Sequence, residues 1–267
     1  MELAAYFFAM FIGISLGLIG AGGSILTVPV LVYLAHVEPV LATGYSLFVV
    51  GSTALVGGIQ NAWKKRVAFK TALVFGIPSI ITVYATRAWI MPWIPAEINI
   101  FNTFAVGKGE LLLLLFAGLM IITSVSMIRD KKDKEEVNDS ALKENRYIMI
   151  LLEGVGVGML TGLVGAGGGF LIIPALVLFA GLEMKLAVGT SLFIIAAKSL
   201  IGFMGDIQTG SAIDWTFLLT FTACSIAGIF VGIWLNKFID GKKLKSGFGW
   251  FVLIMGMYMI IKETVLR

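Results

Sequence analysis

Ten apolar segments, five before a charged stretch and five after it, dominate this 267-residue chain. Most of them contain the roughly 20 residues that an α-helix needs to cross the hydrocarbon core of a bilayer. Only 13% of the residues are charged, whereas a soluble domain has about a quarter. The sequence therefore predicts an all-α polytopic membrane protein. The segments lie at about 3–19, 24–35, 40–60, 67–95, 109–128, 148–164, 170–180, 186–206, 212–236 and 246–262.

The second half of the chain repeats the first at an offset of 145 residues. Between 17–61 and 162–206, 20 of 45 aligned positions are identical. The identities include glycines, a proline and a glutamate, which chance similarity between two apolar segments would not align. We interpret the chain as a duplication, with a first transmembrane repeat at 1–128, a charged cytoplasmic linker at 129–146 and a second transmembrane repeat at 147–267.

The second segment of each half is too short to span a bilayer as a helix, at 1.5 Å per residue. If this segment continues the crossing before it, the loop lysines and arginines divide 12 to 7 between the two sides. If it instead returns the chain to its starting side, they divide 15 to 4, which the positive-inside rule favours. The halves are then inverted repeats, with about eight full spans plus two short half-helices and both termini outside.

Each short segment follows a run of small residues, GLIGAGGS at 17–24 and GLVGAGGG at 162–169. Unpaired backbone groups are costly in hydrocarbon, so a broken helix must lie inside the protein or along a watery cavity. A helix that resumes after the break, at Ser24 or Gly169, directs free N–H groups and its positive dipole end at an anion. We therefore predict an anion site whose backbone ligands are Gly22, Gly23, Ser24, Gly167, Gly168 and Gly169.

Glycine-rich runs also occur in nucleotide-binding loops and in closely packed helices. A nucleotide-binding P-loop would need Gly-Lys-Ser/Thr after the glycines, and neither copy has it. The glycines that precede the breaks have the small-xxx-small spacing of closely packed helices, and we expect them to serve packing alone. They are Gly13 and Gly17 in the first half and Gly154, Gly158 and Gly162 in the second.

The third segment of each half carries a polar stripe with a spacing of seven residues, which is two helical turns. Ser191 and Lys198 form it in the second half, and Ser46 and Thr53 occupy the equivalent positions in the first. A lysine near the middle of a membrane helix is expensive and is functional by default. We therefore expect Lys198 to be the counter-ion of a bound anion, with the hydroxyl groups beside it as further ligands.

Two carboxylates, Glu153 and Asp206, lie at membrane depth in the second half. Either would suit the coupling of transport to a proton or cation, although both lie near segment ends, where carboxylates are common. They also offer an alternative for Lys198, which would pair with one of them or extend to the interface. The single histidine and single cysteine, His36 and Cys224, leave little material for an enzyme or a metal site. We expect no cofactor and no nucleic-acid partner.

The twin glycine motifs, each followed five residues later by a proline, and the run Ala187-Val188-Gly189-Thr190-Ser191-Leu192 resemble the TauE/SafE sulfite exporter family. That family belongs to the toluene sulfonate uptake permease superfamily, and the similarity covers nearly the whole chain. The resemblance implies a multi-pass permease of the inner (cytoplasmic) membrane for sulfite, organosulfonates or related oxyanions. It adds Thr190 to the candidate site. Tyr45 replaces this threonine in the first half, and Ser24 replaces the last glycine.

The sequence thus favours a secondary permease for a small sulfur-containing anion, bound at the midplane between the repeats, and not an enzyme. No ATP-binding motif is present, so concentrating power would come from an ion gradient or a partner. The alternatives are a permease for a different small anion and a non-transporting membrane assembly subunit. The latter gives no reason for duplicated helix breaks or a lysine at membrane depth.

Overall fold

The structure is a computed structural model that describes residues 2–100, 104–128, 143–178, 180–208, 213–235 and 241–265. In the first half, α1 (Glu2–Ile19) leads into a 3₁₀ segment (Gly20–Leu26), α2 (Thr27–Tyr33), α3 (Pro39–Trp63) and α4 (Phe69–Ala85). A π-helical turn (Thr86–Ile90) and α5 (Met91–Trp93) extend α4, and α6 (Lys108–Ile128) ends this half. The second half contains α7 (Lys143–Val164), α8 (Gly169–Leu178), α9 (Met184–Gln208), α10 (Trp215–Leu235) and α11 (Gly241–Thr264).

These helices confirm the ten predicted segments, and the fold is helical with one exception. Strands β1 (Glu97–Ile100) and β2 (Phe104–Gly107) form a short antiparallel hairpin before α6 that the sequence did not predict. Most of the predicted linker, 129–142, lies outside the described residues, and α7 begins at Lys143, within its last residues. The division into two repeats with a linker stays a prediction.

Five helical stretches in the described part of the chain are long and apolar enough to cross a membrane, and shorter apolar helices accompany them. The protein is therefore a multi-pass membrane protein. The number of full crossings and the side on which each loop lies stay predictions. The five stretches are Pro39–Trp63, Phe69–Trp93, Lys108–Val125, Lys185–Gln208 and Trp215–Leu235.

The start of α3 shows how local sequence sets a helix boundary. Glu38 is the N-cap residue, and its carboxylate accepts hydrogen bonds from the backbone N–H groups of Val40 (3.1 Å) and Leu41 (2.9 Å). Pro39 follows at the first helical position, where its missing N–H is not needed. The repeat retains this glutamate as Glu183, directly before α9.

The two halves interleave rather than pack as separate bodies. The first helix of each half packs on the fourth helix of the other, so that α1 contacts α10 and α7 contacts α4. Glycines make these contacts close: a β-carbon at Gly13 would collide with the carbonyl group of Ser225, and one at Gly158 would lie 2.6 Å from the carbonyl oxygen of Ser79. The predicted packing role of the glycines before the breaks is confirmed.

The third helices of the two halves, α3 and α9, pack against each other in antiparallel orientation. Gly44 near the start of α3 faces Asp206 near the end of α9, whereas Gly58 near the end of α3 faces Phe193 in the first half of α9. The equivalent residues Thr53 and Lys198 therefore both lie near the middle of this helix pair. Helices α6 and α11, which are also equivalent, pack together as well.

Candidate functional site

Lys198 is fully buried, with 0% of its surface exposed, near the middle of α9. Its ammonium group donates a hydrogen bond to Thr161 Oγ1 of α7, at 3.0 Å. Neither Asp206 nor Glu153 forms an ion pair with it, and no other carboxylate among the described residues does. The alternative hypotheses, a carboxylate partner or a side chain that extends to the membrane interface, are therefore wrong for this structure.

The second glycine break lies directly against this ammonium group. A β-carbon at position 168 would be 2.8 Å from Lys198 Nζ and would collide with Thr161 Oγ1. Gly167 and Gly168 both adopt a φ of +64°, a left-handed conformation that side chains disfavour, and α8 begins immediately afterwards at Gly169. The turn thus places the N-terminus of α8 and the lysine side by side, which combines two sources of positive potential.

The two breaks approach each other but differ in conformation. A β-carbon at Gly167 would lie 3.5 Å from Ser24 Cβ and 2.6 Å from Val50 Cγ1. We expected an α-helix to resume at Ser24; instead a 3₁₀ segment contains Gly22, Gly23 and Ser24, and α2 begins at Thr27. The difference lies in the backbone: Gly167 and Gly168 adopt a positive φ, whereas the equivalent Gly22 and Gly23 do not. Ser24 is buried.

At the position equivalent to Lys198, the first half presents a pair of hydroxyl groups. Thr53 Oγ1 donates to the Val49 carbonyl oxygen (2.7 Å) and lies 3.0 Å from Ser225 Oγ. Both residues are buried. The two hydroxyl groups bond each other, whereas the lysine has only Thr161 as a partner among the described residues. The predicted role of Thr53 as an anion ligand stays a prediction.

The two serines of the polar stripes are buried in equivalent places. Ser191 Oγ donates to the Val188 carbonyl oxygen at 2.8 Å. Ser46 Oγ has no hydrogen-bond partner among the described residues. Buried hydroxyl groups without partners are uncommon and indicate a water or a ligand nearby.

Thr190 and its equivalent Tyr45 share a contact that the sequence did not reveal. The Thr190 hydroxyl accepts a hydrogen bond from the backbone N–H of Ala68 (2.9 Å), the N-cap residue of α4. The Tyr45 hydroxyl accepts one from the N–H of Asp214 (2.6 Å), directly before α10. Each hydroxyl group therefore fixes the start of the fourth helix of the opposite half. The replacement of threonine by tyrosine preserves this contact.

Arg87 is a buried charged residue that the sequence analysis did not single out. It lies in the π-helical turn after α4 and is only 1% exposed. Its Nη1 donates to Asp206 Oδ1 at 3.2 Å. Asp206 also lines a cavity of about 250 Å³ with Glu38, Gly44 and Tyr45. The sequence did offer a signal for this contact: one apolar segment (67–95) contains an arginine, and another (186–206) contains a carboxylate.

Glu153, His36 and Cys224 are the remaining titratable residues named in the sequence analysis. Glu153 is half-buried on α7 and forms no ion pair with a described residue. His36 is exposed in the turn after α2, where its φ is +55°. Cys224 is partly buried on α10. Coupling by Glu153 or Asp206 stays a prediction.

Known proteins are similar to this chain along nearly its whole length. The family described as "Sulfite exporter TauE/SafE" matches residues 5–259. A "Probable membrane transporter protein" of Xylella fastidiosa (strain 9a5c) is 28% identical over 252 residues, which cover 93% of this chain and 91% of that protein. The "Probable membrane transporter protein YunE" of Bacillus subtilis (strain 168) is 29% identical over 262 residues, 91% of this chain and 89% of that protein. No solved structure matches the chain.

Proposed function

The chain belongs to the sulfite exporter TauE/SafE family and is a membrane transporter, and from this premise we propose that it is a secondary permease for a small sulfur-containing oxyanion. Sulfite or an organosulfonate would bind between the two halves, near the middle of the membrane. The observation that carries the proposal is the fully buried Lys198, which has no carboxylate partner among the described residues.

A buried lysine without a counter-ion either loses its proton or needs a partner that compensates its charge. Thr161 supplies one hydrogen-bond acceptor, and an ammonium group has three donors. An oxyanion would neutralise the charge and accept from the remaining donors. Since the N-terminus of α8 begins beside the lysine, its free N–H groups would contact the same anion.

The arrangement of the helices supports alternating access between inverted repeats. Equivalent helices that pack in antiparallel orientation, as α3 and α9 do, are related by a two-fold axis perpendicular to both. If both helices cross the membrane, this axis lies in the membrane plane, as in many secondary transporters. We place the protein in the inner membrane, with the linker on the cytoplasmic side. A proton carried by Glu153 or Asp206 would supply the driving force.

The present conformation is closed around Lys198. The 250 Å³ cavity lies beside Asp206, about 12 Å along α9 from the lysine at 1.5 Å per residue. The contacts of Gly167 and Gly168 with Val50, Thr161 and Lys198 leave no room for an added methyl group there. An anion that reaches the centre must therefore separate the breaks from α3 and α9, which is the movement that alternating access requires.

Transport by the purified protein in proteoliposomes tests the proposal. We expect uptake of radiolabelled sulfite or of a short sulfonate such as taurine, and strong reduction of that uptake by Lys198→Met. Thr53→Val, at the equivalent position, is the matched control and should retain most of the flux. Lack of flux for every sulfur oxyanion in folded, reconstituted protein would refute the substrate class. Equal flux in wild type and Lys198→Met would refute the site.

A further inference from the structure

The guanidinium group of Arg87 is a second buried cation, separate from Lys198. Its side chain is 0% exposed, and among the described residues its one ion-pair partner is Asp206, at 3.2 Å. The neighbouring helices leave it little freedom, since a β-carbon on Gly205 of α9 would lie 2.9 Å from Arg87 Cβ. Neither the glycine breaks nor the polar stripes include this residue.

The ion pair uses only one side of the guanidinium group. Asp206 accepts from Nη1, whereas Nε and Nη2 have no acceptor among the described residues although both are buried. Nε and Nη2 form the edge with which arginine binds carboxylates and other oxyanions through two parallel hydrogen bonds. Buried charged donors without acceptors are strongly unfavourable, so this edge is suited to an oxyanion ligand.

Asp206 separates this cation from the cavity. The carboxylate is a wall of the 250 Å³ space, and its side chain is 15% exposed, while that of Arg87 is not exposed at all. The volume is about eight times the share of one water molecule in the liquid, which is enough for sulfite or a short sulfonate. An anion in this cavity would reach Arg87 by displacing Asp206.

We propose that Arg87 is a second anion-binding residue of the permease, at which an entering sulfur oxyanion replaces Asp206 as the partner of the guanidinium group. The inference rests on the proposed function for its substrate class. At rest the ion pair keeps the site neutral and blocks it against weakly binding anions. Asp206 releases Nη1 and turns towards the cavity, which opens the path to the guanidinium group, and two oxygens of the substrate then accept from Nε and Nη2.

The residues around Arg87 and Asp206 allow the exchange of partners at this end of α3 and α9, whereas the equivalent residues at the other end do not. Glu38, the other carboxylate of the cavity, is held by the backbone N–H groups at the start of α3 and does not compete for Arg87. The equivalent of Asp206 in the first half is Asn61, whose amide donates to the Gly57 carbonyl oxygen at 2.8 Å. The end of the helix pair at Asp206 therefore carries a charged pair, whereas the end at Asn61 carries a neutral side chain.

Calorimetric binding of sulfite and of ethanesulfonate to the detergent-purified full-length protein tests the exchange. Asp206→Asn removes the competing carboxylate without changing the shape of the side chain, so we expect the Kd of at least one probe to fall about fivefold or more. In Arg87→Gln/Asp206→Asn, which removes both charges, this gain should disappear. Arg87→Lys keeps a charge opposite Asp206 but lacks the two-donor edge, so it should bind more weakly than wild type.

The results separate this inference from the proposed function. If Asp206→Asn and Arg87→Gln/Asp206→Asn bind both probes equally, Arg87 is a structural partner of Asp206 and the inference is overturned. If Lys198→Met also lost binding in that case, the proposed site at Lys198 would still be supported. A gain in Asp206→Asn that depends on Arg87 would support the inference even if Lys198→Met bound normally. If no variant and no wild-type protein bound either probe, both proposals would be wrong.

Discussion

Positions 53 and 198 are equivalent in the duplicated sequence and lie near the middle of two antiparallel helices, but they differ in chemistry. Thr53 shares a hydrogen bond with Ser225, and its position is neutral and satisfied. Lys198 brings a charge to the same depth and has only Thr161 as a partner among the described residues. The comparison teaches that two positions equivalent in sequence, at the same depth of an antiparallel helix pair, carry a neutral hydroxyl pair in one half and a cation in the other.

We expect the largest loss of transport from substitutions at the glycine breaks, compared with the same substitution at a glycine elsewhere in the helices. Gly168→Leu places a side chain against Lys198 Nζ and Thr161 at a φ of +64°, so transport should be abolished and the folded yield should fall. Gly167→Leu should behave in the same way because of Val50. Reconstituted flux and size-exclusion chromatography of each variant measure the two effects.

Gly156→Leu on α7 is the matched control, because no atom lies within 4 Å of a β-carbon there. It should fold and transport as the wild type does. The structure also changes the physical reason for the effect at Gly167. The first neighbour of a leucine there would be Val50 of α3 and not a space for the anion. Normal flux in both break variants would show that the breaks do not have this tight geometry.

The hydroxyl contacts of Tyr45 and Thr190 should show an intermediate and nearly equal effect. Tyr45→Phe and Thr190→Val each remove the acceptor of one backbone N–H at a helix start, at a cost of about 1 kcal/mol in the free energy of unfolding. Chemical denaturation in detergent, followed by tryptophan fluorescence, measures it. Tyr84→Phe, which loses an exposed contact with Gln208, is the control. An unchanged stability in both variants would contradict the proposed role in fixing α4 and α10.

The sequence predicted local features of the fold but not the contacts between residues far apart in the chain. The bounds of α3 and α9 followed from apolar run length to within about three residues, because hydropathy is a local property of the chain. The packing of Gly13 and Gly158 followed from their spacing. By contrast, the burial of Arg87 and the contact of Thr190 with Ala68 join residues more than 100 positions apart. No local pattern encodes such contacts; only the packing of α4 against α9 creates them.

The conformation of the first glycine break illustrates a second limit of prediction from the sequence. Both copies of the glycine motif predict an interruption, but the conformation of each depends on which glycines take positive φ. Gly20 and Gly165 are equivalent and both do so, at +74° and +76°. The following glycines differ in φ between the two copies and also in their surroundings, which are Lys198 and Thr161 around Gly168 and Ser15 and Leu16 around Gly23.

The serines of the two polar stripes should show the smallest effect. Ser191→Ala and Ser46→Ala each remove a buried hydroxyl group, and we expect each to weaken anion binding by about 1 kcal/mol or less. Ser191 already donates to the Val188 carbonyl oxygen, so its loss should matter less than that of Ser46. Calorimetric titration with sulfite gives the difference. A larger loss for Ser191→Ala would reverse this ranking and place the anion nearer to α9.

The most direct test of the central claim is the affinity of Lys198→Met for sulfite and for a short sulfonate, measured calorimetrically in detergent beside Thr53→Val. We expect the lysine variant to lose about 1.5–3 kcal/mol, a rise in Kd of roughly tenfold or more, because it removes the charge that faces Gly168 and the start of α8. Lys198→Arg should retain part of the affinity, and Thr53→Val should change it little. An unchanged Kd in folded Lys198→Met, or an equal loss in Thr53→Val, would contradict the account.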